Sequence, residues 1–137
     1  MNNLLDQLVR DEELRLKPYR DSVGKLTIGV GRNLDDVGIS RDEAMALLAN
    51  DIAHARAELE QYLPWTGGLD DVRQSALVNM AFNLGIGGLV KFHNFLAAIE
   101  AKDYKTAAAE MLDSVWAKQV GDRAHRLALQ IETGFWQ

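Results

Sequence analysis

The sequence contains no cysteine, only two prolines, and fewer basic than acidic residues, 15 against 20. Without cysteine there are no disulfides, no thiolate metal site and no cysteine nucleophile. The three histidines, His54, His93 and His125, are scattered with no HxH or HxxxH pairing, so no metal site is expected. The net charge of −5 gives no support to nucleic-acid binding, which usually shows a basic patch. No apolar run approaches the roughly 18 residues that a membrane span needs. The stretch Leu4-Leu5-Asp6-Gln7-Leu8 is interrupted by polar residues, unlike the apolar run of a secretory signal. Synthesis in the cytoplasm is therefore expected, with any export depending on another factor.

What remains is ordinary for a globular domain: 137 residues, 47% hydrophobic and 26% charged, without repeats, low-complexity tracts or a flexible linker. Leu4, Leu5, Leu8 and Val9 form an i, i+1, i+4, i+5 stripe that predicts a helix over 3–13, with Asn3 as N-cap. Pro18 forbids helical geometry at Lys17, so that helix ends before it. Residues 17–33 read as a β-hairpin. Tyr19, Leu26, Thr27, Ile28 and Val30 favour strands, and Asp21-Ser22-Val23-Gly24 is turn material. Gly29 and Gly31 in the return strand predict bends or a close approach by a ligand or another backbone, or more simply a β-bulge pair that twists the strand.

Ser40-Arg41-Asp42-Glu43 is a capping box opening a helix that Pro64 closes near Leu63. Ala44, Leu47, Leu48, Ile52, Ala55 and Leu59 fall on one face of it. Its length suggests a spine between two lobes. Trp65–Gly68 reads as a loop. Asp70 and Asp71 begin a helix that is apolar almost all round through Leu84, the pattern of a buried central helix ended by Gly85. Short helices follow at about 86–91, 94–101, 104–113, 115–118 and 122–132, and Thr133-Gly134-Phe135-Trp136 is expected to tuck against the body.

Three polar residues share the corner between the first helix and the hairpin: Glu12, Asp21 and Thr27. Each alone has an ordinary explanation. A glutamate near a helix end is usually solvated, Asp-x-x-Gly is common turn chemistry, and threonine is a normal strand residue. Together they supply two carboxylates and a hydroxyl on adjoining elements, as acid/base hydrolysis requires.

The run Glu12, Leu14-Arg15-Leu16-Lys17, Tyr19, Asp21, Gly24, Thr27-Ile28-Gly29, Gly31 resembles the active-site signature of phage-type lysozymes, glycoside hydrolase family 24. Arg73–Gly85 resembles that family's central helix. Ser114-Val115-Trp116, Gln119–Arg126 and Thr133–Trp136 resemble its C-terminal block. The match extends over nearly the whole chain, with a shorter segment after Arg32 than in the T-even phage members. The resemblance implies an α+β, mostly α, two-lobed fold with a small β-hairpin lobe, a long connecting helix and a helical C-terminal lobe. It also implies a single domain over 1–137, with 12–63 forming the β-containing lobe and connecting helix, and 1–11 packing with 64–137.

The resemblance likewise implies roles. Glu12 is expected as general acid, with Asp21 and Thr27 positioning a water, on the β-1,4 bond between N-acetylmuramic acid and N-acetylglucosamine in peptidoglycan, by inversion. Arg123 is expected to pair with Glu12 or to lock the last helix in place. Phe82 and Asn83 are candidate sugar contacts, although plain core packing is favoured for the Phe82 ring. Asn33, Phe95 and Glu110 are placed near the saccharide subsites, although their residue types differ from those of family members. Trp116 and Trp136 are expected in the core, and Trp65 is less certain. No cofactor is expected. A monomer acting on the cell wall in the periplasm, released by a holin-like partner, completes the expectation. Two alternatives stand beside it: a peptidoglycan-binding lysozyme-like domain with weak or no activity, and a lytic transglycosylase. The chain departs from the family pattern at Glu13, where glycine is usual, at Arg32, where histidine is common, and in its negative charge.

Overall fold

The computed structural model describes residues 3–137. Residues 1 and 2, at the start of the expected domain, lie outside the described residues. The chain divides into two compact units, one running to Leu47 and the other from Leu48 to Gln137. The fold is mostly helical with one small antiparallel sheet, the α+β lysozyme-like architecture that the sequence implies.

In the first unit, helix α1 spans Leu4–Glu12. Asn3 caps it as expected: its Oδ1 accepts from the Asp6 N–H at 2.9 Å. Leu4, Leu5, Leu8 and Val9 are 66, 75, 42 and 42% exposed, and no residue of α1 is buried. The predicted hairpin is instead a three-stranded meander in the order β1 (Arg15–Arg20), β2 (Leu26–Gly29), β3 (Arg32–Asn33). The return strand ends at Gly29 because the chain turns at Val30–Gly31, so Arg32 and Asn33 pair back onto Ile28 and Thr27. Between β1 and β2, Tyr19 faces Thr27 and Arg20 faces Leu26, with a register irregularity between Arg15 and Tyr19. Pro18 lies in that irregular stretch and has no N–H to give to a ladder.

Helix α2, Arg41–Tyr62, opens on the predicted capping box. Ser40 Oγ accepts from the Glu43 N–H at 3.1 Å, and Glu43 Oε1 accepts from the Ser40 N–H at 2.9 Å. Its 22 residues span about 33 Å. The boundary between the units falls within this helix.

In the second unit, Pro64–Gly68 forms a 3₁₀ turn rather than an open loop. The Thr66 hydroxyl donates to the Leu63 carbonyl at 2.7 Å, which satisfies an orphan carbonyl at the end of α2. Trp65 is half-buried against the core. Helix α3, Asp71–Leu84, starts on Asp70, whose side chain accepts from the Arg73 N–H at 3.1 Å. Ala76, Leu77, Val78, Met80 and Ala81 are buried, as expected of a central helix. The expectation of burial almost all round fails along a strip of Asn79, Phe82 and Asn83, which is exposed. After α3 come α4 (Ile86–Leu89), α5 (His93–Glu100), α6 (Tyr104–Leu112), α7 (Val115–Val120) and α8 (Asp122–Thr133), of which α4 and α8 pack on α3, and α6 packs on α5 and α8. Leu59, Leu77, Met80, Leu89, Ile99, Met111 and Ile131 are essentially inaccessible.

The aromatic tail does not tuck in. Phe135 and Trp136 are 73 and 63% exposed. The space beside Gly134 is already filled by Arg73, whose Nη1 would lie 3.0 Å from any Cβ placed there. That guanidinium donates to the Ile131 and Glu132 carbonyls at 2.6 and 3.1 Å and stacks 3.7 Å from the centre of the Tyr104 ring. Trp116, by contrast, is in the core as expected, 4% exposed and edge-on to Phe92.

Candidate active site

Glu12, Asp21 and Thr27 all belong to the first unit. Glu12 is the last residue of α1, where the helix must stop. The stop is made by Glu13, a non-glycine residue held at φ 58° and ψ 125°. A side chain is rarely found in that conformation, at a typical cost of about 1–3 kcal/mol. The Glu13 carboxylate takes a 3.3 Å contact from Arg15 Nη2.

Asp21 closes the β1–β2 turn. Its Oδ1 accepts from the backbone N–H of Val23 at 3.0 Å and of Lys25 at 2.8 Å. Its own N–H donates to the Lys25 carbonyl at 2.9 Å. Thr27, two residues on, is only 3% exposed, and its hydroxyl also donates to the Lys25 carbonyl, at 2.9 Å. One residue's backbone therefore holds both side chains. The consequence is chemical as well as geometric. With its proton given to Lys25, the Thr27 oxygen offers lone pairs, and can accept from a water. With Oδ1 committed to the turn, Asp21 has Oδ2 left for the same task.

The turn after β2 meets Glu12. A Cβ built on Gly31, which has φ +73°, would lie 2.9 Å from Glu12 Oε2. Of the two backbone features that the paired glycines predict, the close approach is thus made by Gly31 and by a side chain. Arg32, next in sequence, donates to Glu43 Oε1 at 2.7 Å and to the Gly38 carbonyl at 3.2 Å. The hydrogen bond from Arg32, with the Ser40 bonds behind it, holds the Glu43 carboxyl down to about 2. The same contact raises Arg32 above its ordinary value. Asn33 is engaged at both ends by its own loop: its amide donates to Asp36 Oδ2 at 3.1 Å and its carbonyl accepts from the Asp36 N–H at 2.9 Å.

The remaining candidates lie in the second unit, in two separate places. Phe82, 46% exposed rather than packed in the core, lines a concavity of about 370 Å³ with Arg123, Asn79, Ile52, Arg56 and Trp136. The ring faces outward because its neighbours on the buried side of α3, Val78 and Ala81, already fill the core. Trp136, expected in the core, lines this same concavity. Asn83 accepts from Trp116 Nε1 at 2.8 Å through its carbonyl, which leaves its amide hydrogens as the group to offer. Phe95 is 2% exposed and borders a second concavity, of about 320 Å³, together with Glu110, Asn94 and His93.

Arg123 is held by a residue that the sequence reading passed over. Its Nε and Nη2 donate to Asn79 Oδ1 at 3.0 and 2.8 Å. The available signal was the spacing Asn79-x-x-Phe82-Asn83, which puts three residues on one face of a helix otherwise made for burial. Gly31 reads in the sequence as a bend or close approach and Glu43 as a cap residue, while Lys25 carries no signal, since a backbone anchor leaves no trace of its own in side-chain pattern.

The sequence profile described as phage lysozyme matches residues 9–130. The chain is 32% identical to the pre-baseplate central spike protein Gp5 of Enterobacteria phage T4, over 96% of this chain and 28% of that protein. It is 29% identical to probable T4-type lysozyme 1 of Dictyostelium discoideum, over 98% of this chain and 96% of that protein. It is 32% identical to an endolysin of Acyrthosiphon pisum secondary endosymbiont phage 1, over 83% of this chain and 78% of that protein.

Proposed function

Since this chain belongs to the phage lysozyme family, and so to the glycoside hydrolases that act on peptidoglycan, we propose that it is an endolysin-type muramidase. It cuts the β-1,4 bond between N-acetylmuramic acid and N-acetylglucosamine. Glu12 protonates the departing glycosidic oxygen. A water held between Asp21 Oδ2 and the Thr27 oxygen attacks the anomeric carbon from the opposite face, giving inversion, a mechanism that requires carboxyls about 6.5–9.5 Å apart. The observation that carries this reading is the shared anchor: Asp21 and Thr27 both bond the Lys25 backbone and keep acceptor atoms for one water. Phe82 and Asn83 contact the sugar, the first by ring stacking and the second through its amide hydrogens. Asn33, Phe95 and Glu110 border further saccharide subsites. Arg123, whose guanidinium donates to Asn79 Oδ1, serves to lock α8, here onto α3. The protein works as a monomer on the cell wall in the periplasm, with a holin-like protein releasing it from the cytoplasm.

The test is the clearing of outer-membrane-permeabilised Gram-negative cells by the parent and by Glu12→Gln. Removing the general acid is expected to slow clearing by at least ~10²-fold while leaving the fold intact. Products ending in reducing muramic acid support hydrolysis. Anhydro ends would mean transglycosylation instead. A parent that binds peptidoglycan without clearing cells would be a binding module.

A further inference from the structure

Gly29 and Gly31 flank the same turn with nearly the same φ, +70° and +73°, yet their surroundings differ. A Cβ at Gly29 would meet nothing within 4 Å. The three atoms nearest a Cβ at Gly31 all belong to Glu12: Oε2 at 2.9 Å, Cδ at 3.2 Å and Cγ at 3.5 Å. The turn is fixed on its far side, because Arg32 is tied to both Glu43 and the Gly38 carbonyl. Glu12, in contrast, is exposed, and its carboxyl is the free end of a flexible side chain. When two atoms cannot share a space, the mobile one moves.

We infer that Gly31 is a positioning residue for the general acid: its missing side chain is the space in which the Glu12 carboxyl stands. The inference rests on the acid role proposed for Glu12. It goes further in naming what sets that group's position, and in predicting that a methyl group at 31 costs activity without a matching cost in stability. Displacement of a reacting group by about 1 Å can lower a rate by about 10²-fold.

Gly29→Ala is the control, because it also places a side chain at positive φ but meets nothing within 4 Å. Gly31→Ala is expected to melt like Gly29→Ala but to show a kcat lower by roughly 10- to 100-fold, with KM little changed. In a Glu12→Asp background, whose shorter acid clears the new methyl, adding Gly31→Ala should change kcat no more than adding Gly29→Ala does. Gly31→Asn, which tolerates positive φ better, should repeat the kcat loss with a smaller effect on folding. Equal kcat in the two single alanine variants overturns the inference. So does a Gly31→Ala cost that persists undiminished beside Glu12→Asp. The side-chain carboxyl ¹³C resonance of Glu12 reads the contact independently of turnover, and should move in Gly31→Ala and not in Gly29→Ala. If Glu12→Gln remains active, the acid role fails and the positioning role with it, and the ¹³C shift still reports whether the contact exists.

Discussion

Between Asn3 and Leu47 a single described side chain is buried, that of Thr27. Between Leu48 and Gln137 the buried apolar residues run from Ala55 to Ile131 and form one cluster around α3. The first unit is held by directed polar contacts: the Asn3 cap, the Asp21 turn, the Lys25 anchor and the Arg32–Glu43 pair. The second is held by close packing, with half-buried Arg73 and buried Gln130 as polar ties to backbone carbonyls. The contrast fits the roles proposed for Glu12 and Asp21. Carboxyls that exchange protons with a substrate must stay within its reach, and hydrogen bonds can fix the segment that holds them without sealing it in an apolar core. Such contacts contribute about 0.5–1.5 kcal/mol each, whereas a buried aliphatic side chain contributes about 1.5–3 kcal/mol. Geometry in the first unit is therefore specified more strongly than it is stabilised.

The same substitution placed in each unit gives the largest effect. Leu77→Ala, in the centre of α3 with no exposure, is expected to cost about 2–5 kcal/mol. Leu16→Ala, on β1 at 81% exposure, is expected to stay within about 0.5 kcal/mol. Urea unfolding of both variants measures the contrast, and comparable losses would mean that the first unit hides a core of its own.

A smaller effect of opposite sign is expected at the helix stop. Glu13 has φ 58°, a conformation for which glycine has no Cβ penalty. Glu13→Gly should stabilise the protein by about 1 kcal/mol, after the entropy that glycine adds to the unfolded chain is subtracted. A raised midpoint in urea with an unchanged slope is the expected result. A lowered midpoint would show that the 3.3 Å contact with Arg15 outweighs the backbone strain.

The two units also differ in how much of them could be read in advance. Helices α2, α3 and α8 announce themselves through the Ser40 capping box, the apolar run 76–84 and the Asp122 start, and all three fall within a residue or two of their expected bounds. Packing of a helix is a property of spacing, and spacing is written in the chain. The third strand was not legible, because two residues that pair after a glycine turn carry no periodicity. Phe82 and Trp136 were misread for a related reason: aromatic residues at apolar spacing look like core until the neighbouring positions are seen to fill it. The candidate site was legible as residue types, Glu12, Asp21 and Thr27, through family likeness. The contacts around it, the Lys25 backbone and the Gly31 gap, are relations between positions that no single residue type encodes, as is the Asn79 clamp on Arg123 in the second unit.

The smallest effect concerns the Arg32–Glu43 pair, where the first unit substitutes a surface ion pair for packing. The Glu43 carboxyl is held at about 2, below the ordinary glutamate value near 4.3. Over that interval the unfolded chain binds a proton that the folded chain does not, so stability rises with pH there. The contribution is complete above pH ~4.3 and is lost as pH falls through about 2. Glu43→Gln keeps a side-chain acceptor for the Ser40 cap and removes the charge. Plotted against pH, the difference in melting temperature between parent and Glu43→Gln should be constant at neutral pH, shrink below pH ~4.3 and approach zero near pH 2. Both partners keep more than a third of their side-chain surface in solvent, so added salt should also shrink the difference. No difference between parent and Glu43→Gln at any pH or salt concentration would show that Glu43 acts here through its cap bond alone, and that the turn bearing Gly31 is held by the Gly38 carbonyl rather than by charge.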